Sequence, residues 1–311
     1  MTLERSGTVQ HCQTTRHNMS FFDKQLFTIA ASSQFLAGDA WQEVSSGVTS
    51  ILRDVTYGNN LWVAVGNGGV ILTSTDALTW TSRTSGTSND LYSVRYGGGL
   101  YVAMSIVGDL LTSSNGTSWT LGSITSGLGY GLAFGNSTWV TVGTSPFIAS
   151  SSNGTTWTSR TNPGSYGYEA VTFGNNLFVA GIGPQFIYSS DGTTWSLGSS
   201  SGSVAVRDIT YGNNLYIAVA EDSGSFNNIY RSTNGTSWTL QTTAGTREWR
   251  GVAYGNTRFM VGGSGYISVT TTGTSTTIKT ATSSKTIYAI GFGNSRFVAV
   301  GSVGYIIRSL V

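Results

Sequence analysis

The chain has 311 residues, enough for one large or two small domains, and only 10% of them are charged, against roughly 25% in an average soluble protein. Its formal net charge of +2 is too small to argue for nucleic acid or for an anionic membrane face. A single cysteine, Cys12, excludes an intramolecular disulfide framework. No run is long and apolar enough for a transmembrane helix, and no apolar signal segment follows Met1.

Residues 1 to about 37 lie outside any repeat. His11, Cys12 and His17 are metal-ligating types, but they lack a fourth partner and a recognised spacing, so no metal and no cofactor is expected. Ser20-Phe21-Phe22-Asp23 resembles a capping box, and Phe22, Leu26 and Ile29 share one helical face. That pattern predicts a short amphipathic helix over about 20–30. The arm reads either as a lid on the rest of the chain or as a docking segment for another subunit.

From Arg53 onward the chain repeats. A short strand ends in an aromatic at Tyr57, Tyr96, Phe134, Phe173, Tyr211, Tyr254 and Phe292, with steps of 39, 38, 39, 38, 43 and 38 residues. Glycine follows each aromatic, Asn follows that glycine in six of seven, and a second aromatic stands five residues after the first. The Gly-Asn pair reads as a hairpin turn between two strands. Two more strands follow in each unit, as at Val70–Ser74 and Trp195–Leu197. Four strands in each of seven units predict an all-β fold over 38–311, a seven-bladed β-propeller with four-stranded antiparallel blades. The last unit stops at Leu310-Val311, and Trp41 precedes Tyr57 by 16 residues, as Trp80 precedes Tyr96. The strand around Trp41 is therefore expected to close the last blade and hide both free edges. The long step reflects extra residues at Glu221–Asn228, on a loop between the second and third strands.

Between the third and fourth strands stands a heptad, Ser189-Ser190-Asp191-Gly192-Thr193-Thr194-Trp195. Near-copies occupy Ser74–Trp80, Ser113–Trp119, Ser151–Trp157 and Ser232–Trp238, and a worn one Thr270–Thr276. Asx and Gly suit the turn, the leading Ser can bond its amides, and the Trp can plug the hairpin. This heptad resembles the Asp-box (BNR) hairpin of sialidases, photosystem assembly factors and many phage virion proteins. It is one residue shorter than the usual S-x-D-x-G-x-x-W, and three copies carry Asn for Asp.

Four residues before the leading aromatics the repeats diverge, to Arg53, Tyr92, Tyr130, Glu169, Arg207, Arg250 and Tyr288, whereas two positions later they keep Val, Leu or Ile. Variation toward Arg, Tyr and Glu inside a strict repeat marks these as the candidate binding residues, at a channel mouth. Arginines clamp carboxylates, and tyrosines stack on a sugar while donating hydrogen bonds. An acidic glycan is thus the expected ligand class, with solvated rim residues as the plainer reading.

The sialidase resemblance would imply an arginine triad, a Tyr–Glu nucleophile pair and an acid/base Asp. Its Arg-Ile-Pro motif is absent, that family has six blades, and Glu169 and Tyr288 stand three blades apart. No Ser/His/Asp set exists, because His11 and His17 are the only histidines. Asn115, Asn153 and Asn234 begin Asn-Gly-Thr sequons, but the turn needs those residues anyway. The expectation is a non-enzymatic bacteriophage virion protein, tail-associated or on the capsid surface, assembled in the host cytoplasm. Residues 1–37 would anchor it to other virion subunits, and its open face would meet host surface carbohydrate, with no nucleic acid and no membrane insertion. The alternatives are a sialidase-like glycoside hydrolase and an assembly-chaperone propeller.

Overall fold

The computed structural model describes residues 38–124, 128–144, 147–167, 169–182, 185–200, 205–221, 227–243, 248–274 and 277–310. His11, Cys12, His17, the helix expected over 20–30 and the anchoring role of residues 1–37 lie outside these. No helix among the described residues is long and apolar enough to cross a membrane.

The architecture is an all-β propeller. After β1 (Trp41–Val44), one sheet holds β2 (Leu52–Gly58), β3 (Leu61–Gly66), β4 (Ile71–Ser74) and β5 (Thr81–Arg83). The next holds β6 (Leu91–Gly97), β7 (Leu100–Ser105), β8 (Asp109–Ser113) and β9 (Thr120–Ser123). A third has β10 (Leu128–Gly135), β11 (Thr138–Thr144), β12 (Phe147–Ser151) and β13 (Thr158–Ser159). The fourth has β14 (Ala170–Gly174), β15 (Leu177–Ile182), β16 (Gln185–Ser189) and β17 (Ser196–Leu197). In the fifth, β18 (Ser199–Ser200) joins β19 (Ala205–Gly212), β20 (Leu215–Glu221), β21 (Asn227–Ser232) and β22 (Ser237–Thr243). The last sheet combines β23 (Trp249–Gly255), β24 (Arg258–Thr270), β25 (Thr277–Gly293), β26 (Arg296–Gly301), β27 (Ile306–Ser309) and β1. Within it β1 lies antiparallel to β27, Trp41 opposite Ser309 and Val44 opposite Ile306.

Seven separate four-stranded blades, as the sequence predicts, are thereby corrected to six hydrogen-bonded sheets. The cause is β25, which pairs with β24 at its start and with β26 over Ile287–Gly293. The crossing Thr282-Ser283-Ser284 holds no Gly or Pro, and its Thr- and Ile-rich flanks favour extended backbone. Only Ser284, at φ +68°, interrupts the run. The worn heptad before it has Thr at both the Asx and the Trp positions, so the residues that cap and plug the other turns are missing from the sequence there. The inner strands nonetheless neighbour one another in a closed cycle: β2, β6, β10, β14, β19, β23, β25 and back to β2.

The glycine after each leading aromatic serves packing rather than the turn. The turn falls one residue later: Asn59-Asn60, Asn136-Ser137, Asn175-Asn176, Asn213-Asn214, Asn256-Thr257 and Asn294-Ser295 have positive φ at both positions, the geometry that follows strand twist in a two-residue hairpin. Gly58 stays in the ladder opposite Leu61, and a Cβ on it would lie 2.2 Å from the Tyr96 ring. In the same way Gly97 meets Phe134, Gly135 meets Phe173, and so on until Gly293 meets Tyr57. Each leading ring also tilts onto its own partner, with centroids 4.5 Å apart for Tyr96–Tyr101 and 4.9 Å for Phe134–Trp139. The partners Trp62, Tyr101, Trp139, Phe178, Tyr216, Phe259 and Phe297 are buried and supply the bulk of the packing between sheets.

The heptad turns explain their own residues. Asn115 and Gly116 donate backbone N–H groups to Ser113 Oγ at 3.3 and 2.8 Å, and Thr117 and Ser118 donate theirs to Asn115 Oδ1 at 2.9 Å. Trp119 Nε1 then donates to Gly116 O at 3.0 Å. In the first copy Ala77 replaces the glycine at φ +59°, and Trp80 Nε1 makes no hydrogen bond. There the backbone N–H groups of Thr79 and Leu78 hold the Asp76 carboxyl down at about 2. A carboxyl lowered by folding stabilises the fold above its unfolded value of about 4, and that contribution is lost as pH falls toward the folded one. Asp76→Asn supplies the acceptor already used at Asn115. It is expected to keep neutral-pH stability within about 0.5 kcal/mol and to weaken the loss between about pH 4 and pH 2. Urea midpoints at the two extremes check this.

Candidate functional site

Six of the seven divergent positions coincide with a slip in strand register. Pairing jumps from Leu52 to Asp54, Leu91 to Ser93, Gly129 to Gly131, Val206 to Asp208, Trp249 to Gly251 and Ile287 to Ala289. The skipped residues are Arg53, Tyr92, Tyr130, Arg207, Arg250 and Tyr288, and Glu169 stands just ahead of β14. A bulge takes its residue out of the ladder and re-aims the side chain. Here all seven side chains line one cavity of about 270 Å³ at one end of the channel, so the residues singled out from the repeat are brought together in full.

The ring divides into two arcs. In the first, the Arg53 guanidinium lies 4.7 Å from the Tyr92 ring centre and 5.0 Å from that of Tyr288, a favourable cation–π arrangement. Its Nε donates to Asn67 Oδ1 at 2.8 Å. Tyr92 meets Tyr130 edge to face at 5.2 Å. Burial, aided by Tyr92 and Glu169 and opposed by Arg53 and Arg207, raises the Tyr130 pKa, which keeps that phenol protonated.

In the second arc, Arg207 Nη1 donates to Glu169 Oε2. Arg250 Nη2 stands 3.5 Å from Glu248 Oε2, and its guanidinium 5.4 Å from the Tyr288 ring centre. Arg53 is thus an arginine of the mouth with aromatic neighbours and no acidic partner among the described residues. Glu169 pairs with Arg207 and Tyr288 stands beside Arg53 and Arg250, so the two do not form a nucleophile pair.

Below the mouth the channel narrows to about 80 Å³ at a waist that includes Asp54, Ser93, Arg95 and Asp208. Arg95 Nη1 donates to Asp54 Oδ2 at 2.6 Å and to Val94 O at 2.8 Å. Asp54 also accepts from Ser93 Oγ at 3.2 Å and from the backbone N–H groups of Val94 and Val55 at 2.9 and 2.8 Å. Burial alone would lower the Arg95 pKa, but the attraction and hydrogen bond of Asp54, with a smaller pull from Asp208, leave it raised. Asp208 accepts from the backbone N–H groups of Ile209 at 2.8 Å and Val252 at 2.9 Å. Burial pushes its carboxyl up to about 7, against the pull of Arg95.

Sequence reasoning missed this waist, although a signal was present. Asp54 and Asp208 replace the Ser93, Gly131, Ala170, Gly251 and Ala289 of the other repeats, and Arg95 replaces small residues and threonines. Beyond the waist the channel widens again to about 260 Å³, sharing Arg95 and Asp208 with it and walled by threonines and leading aromatics.

No family model and no curated protein matches this chain. Solved structures do. YCF48 bound to D1 peptide is 16% identical with a TM-score of 0.71, over 89% of this chain and 97% of that one. YCF48 from Cyanidioschyzon merolae is 17% identical with a TM-score of 0.69, over 87% and 98%. A catalytically inactive virginiamycin B lyase from Staphylococcus aureus with quinupristin is 10% identical with a TM-score of 0.76, over 88% and 99%. At such identities the likeness is one of fold.

Proposed function

We propose that this chain is a non-enzymatic binding propeller whose mouth holds the carboxylate end of an extended peptide. The observation that carries this reading is Arg53. Its guanidinium sits between two tyrosine rings with no acidic partner among the described residues, whereas Arg207 and Arg250 are occupied by Glu169 and Glu248. A guanidinium fork takes a carboxylate through two parallel hydrogen bonds, and tyrosines cover the apolar flank of the last side chain. The two glutamates make the far arc a poor place for a second acid.

The absence of an assembled Glu169–Tyr288 pair supports binding rather than turnover. Of the expectations drawn from the sequence, the assembly-factor alternative fits the similar structures better than the virion component does. One of those structures is a propeller with a bound peptide, whereas the virion reading rests on features of the sequence alone. In this reading β1 fastens the ring and residues 1–37 serve as a separate docking arm.

Labelled hexapeptides with a free C-terminal carboxylate, set against their amidated counterparts, test it by fluorescence anisotropy. Amidation and Arg53→Met are each expected to weaken binding at least tenfold, about 1.4 kcal/mol. Equal binding of acid and amide would sink the reading. Displacement of the peptide by lower concentrations of a sialylated oligosaccharide would return the mouth to an acidic glycan.

A further inference from the structure

We propose that the far end of the channel is a second, separate binding site, and that it takes an organic ammonium group such as a lysine side chain or a small alkylamine. The argument begins with charge. Asp54, Asp208 and Arg95 stand at the waist, which Arg53, Glu169, Arg207 and Arg250 of the mouth also line. Asp54 is fully engaged by Arg95, by Ser93 Oγ and by the backbone N–H groups of Val55 and Val94. Asp208 holds only the backbone N–H groups of Ile209 and Val252, with no cationic group within ion-pair distance among the described residues. With both acids ionised, Asp208 is left as a carboxylate without an ion-pair partner, on a waist that Arg53, Arg207 and Arg250 line toward the mouth. A proton or a ligand cation beside Asp208 would relieve it, because a carboxylate partly withdrawn from water without a partner carries a solvation cost.

The cavity that reaches Asp208 from the far end says which cation. Its lining includes Tyr57, Tyr96, Phe134, Phe173 and Phe292, together with Thr56, Thr172 and Thr210, and with Arg95 near Asp208. Aromatic surroundings favour organic cations, and threonine hydroxyls can take the remaining N–H donors. A hard metal ion would need several oxygen ligands, but no group of three His, Cys, Asp or Glu among the described residues is placed to hold one. At about 260 Å³, the space admits one side chain or small amine rather than a large ligand.

An ammonium binds the ionised form of Asp208, so binding draws its proton off and affinity rises with pH through the neutral range. The charged groups around Asp208 are Arg95 and Asp54 at the waist, with Arg53, Glu169, Arg207 and Arg250 on the level toward the mouth. Asp208, whose carboxyl burial raises to about 7, is the group expected to change charge on binding.

Calorimetry with n-butylammonium, in two buffers of different ionisation heat, provides the test. The expected result for the full chain is an affinity that rises about tenfold from about pH 6 to pH 8, with proton release on binding. Asp208→Asn is expected to bind at least tenfold more weakly and without pH dependence. A flat pH profile without proton release in the wild-type chain would overturn the proposal, whether or not Asp208→Asn folds. Undiminished binding by folded Asp208→Asn, or displacement of the amine by an equal concentration of potassium, would also overturn it.

Discussion

A chain beginning at residue 45 is expected to melt about 10 °C below one beginning at residue 38. The difference between the two is β1. Residues Trp41–Val44 lie against Ile306–Ser309 in antiparallel register, and Leu310 N donates to Ala40 O at 2.9 Å. Gln42 Oε1 accepts from Arg308 at 3.0 and 3.1 Å, and Lys285 Nζ pairs with Glu43 Oε1 at 2.8 Å. The apolar contribution comes from buried Val44 and from Trp41, whose ring lies 6.5 Å from that of Phe297.

Removing β1 leaves the β27 ladder open and wets part of the surface of Ile306, Ile307 and Tyr305, which together argue for a loss of roughly 3–5 kcal/mol. At this chain length each kcal/mol is worth ~2–4 °C. The exposed edge is also a template for pairing with another copy, so the shortened chain is expected to become concentration-dependent in light scattering. A synthetic peptide of residues 38–46 should restore part of the midpoint. Equal melting of the two chains would show that β1 does not fasten the ring.

What the sequence made legible follows from the strictness of its repeat. Position is read by comparison, so Arg53, Tyr92, Tyr130, Glu169, Arg207, Arg250 and Tyr288 stand out because their neighbours do not vary, and the bulges then turn them to one mouth. The same comparison was not carried to the next position, where Asp54 and Asp208 break a run of small residues. The pairing of Glu169 with Arg207 and the aromatic flanking of Arg53 depend on distances between adjacent repeats that no spacing encodes.

Sheet number was misread for a different reason. A period counts units, whereas hydrogen bonding joins any two units whose link stays extended. The Thr- and Ser-rich crossing within β25 lacks the Gly-containing turn found at Ser85-Gly86. Glycine itself was ambiguous. A residue without Cβ answers both a turn that needs positive φ and a neighbour that comes too close, and at Gly58 and its equivalents the second demand is the operative one.

That second demand gives the other large expected effect. Gly135→Ala should destabilise the fold by about 3 kcal/mol, at the upper end for added volume in a packed interior. Gly135 has no unusual φ, so any loss is steric. A Cβ there would lie 2.1 Å from Phe173 Cγ and 2.3 to 2.4 Å from the two Cδ atoms. Those atoms sit at the root of the ring, which cannot swing aside by rotation about its own axis. Relief requires the whole of β14 to retreat from β10, and the closed cycle of inner strands passes that displacement to every neighbour. Phe173→Ala removes the obstacle at its own cost of about 2 kcal/mol, less than for a fully buried ring because Phe173 is half exposed. The double variant should therefore lose well under the sum of the two singles, with a coupling of about 2 kcal/mol in a denaturant cycle. Additive losses would mean that the glycines answer to the backbone alone and that the ring is not held by these seven contacts.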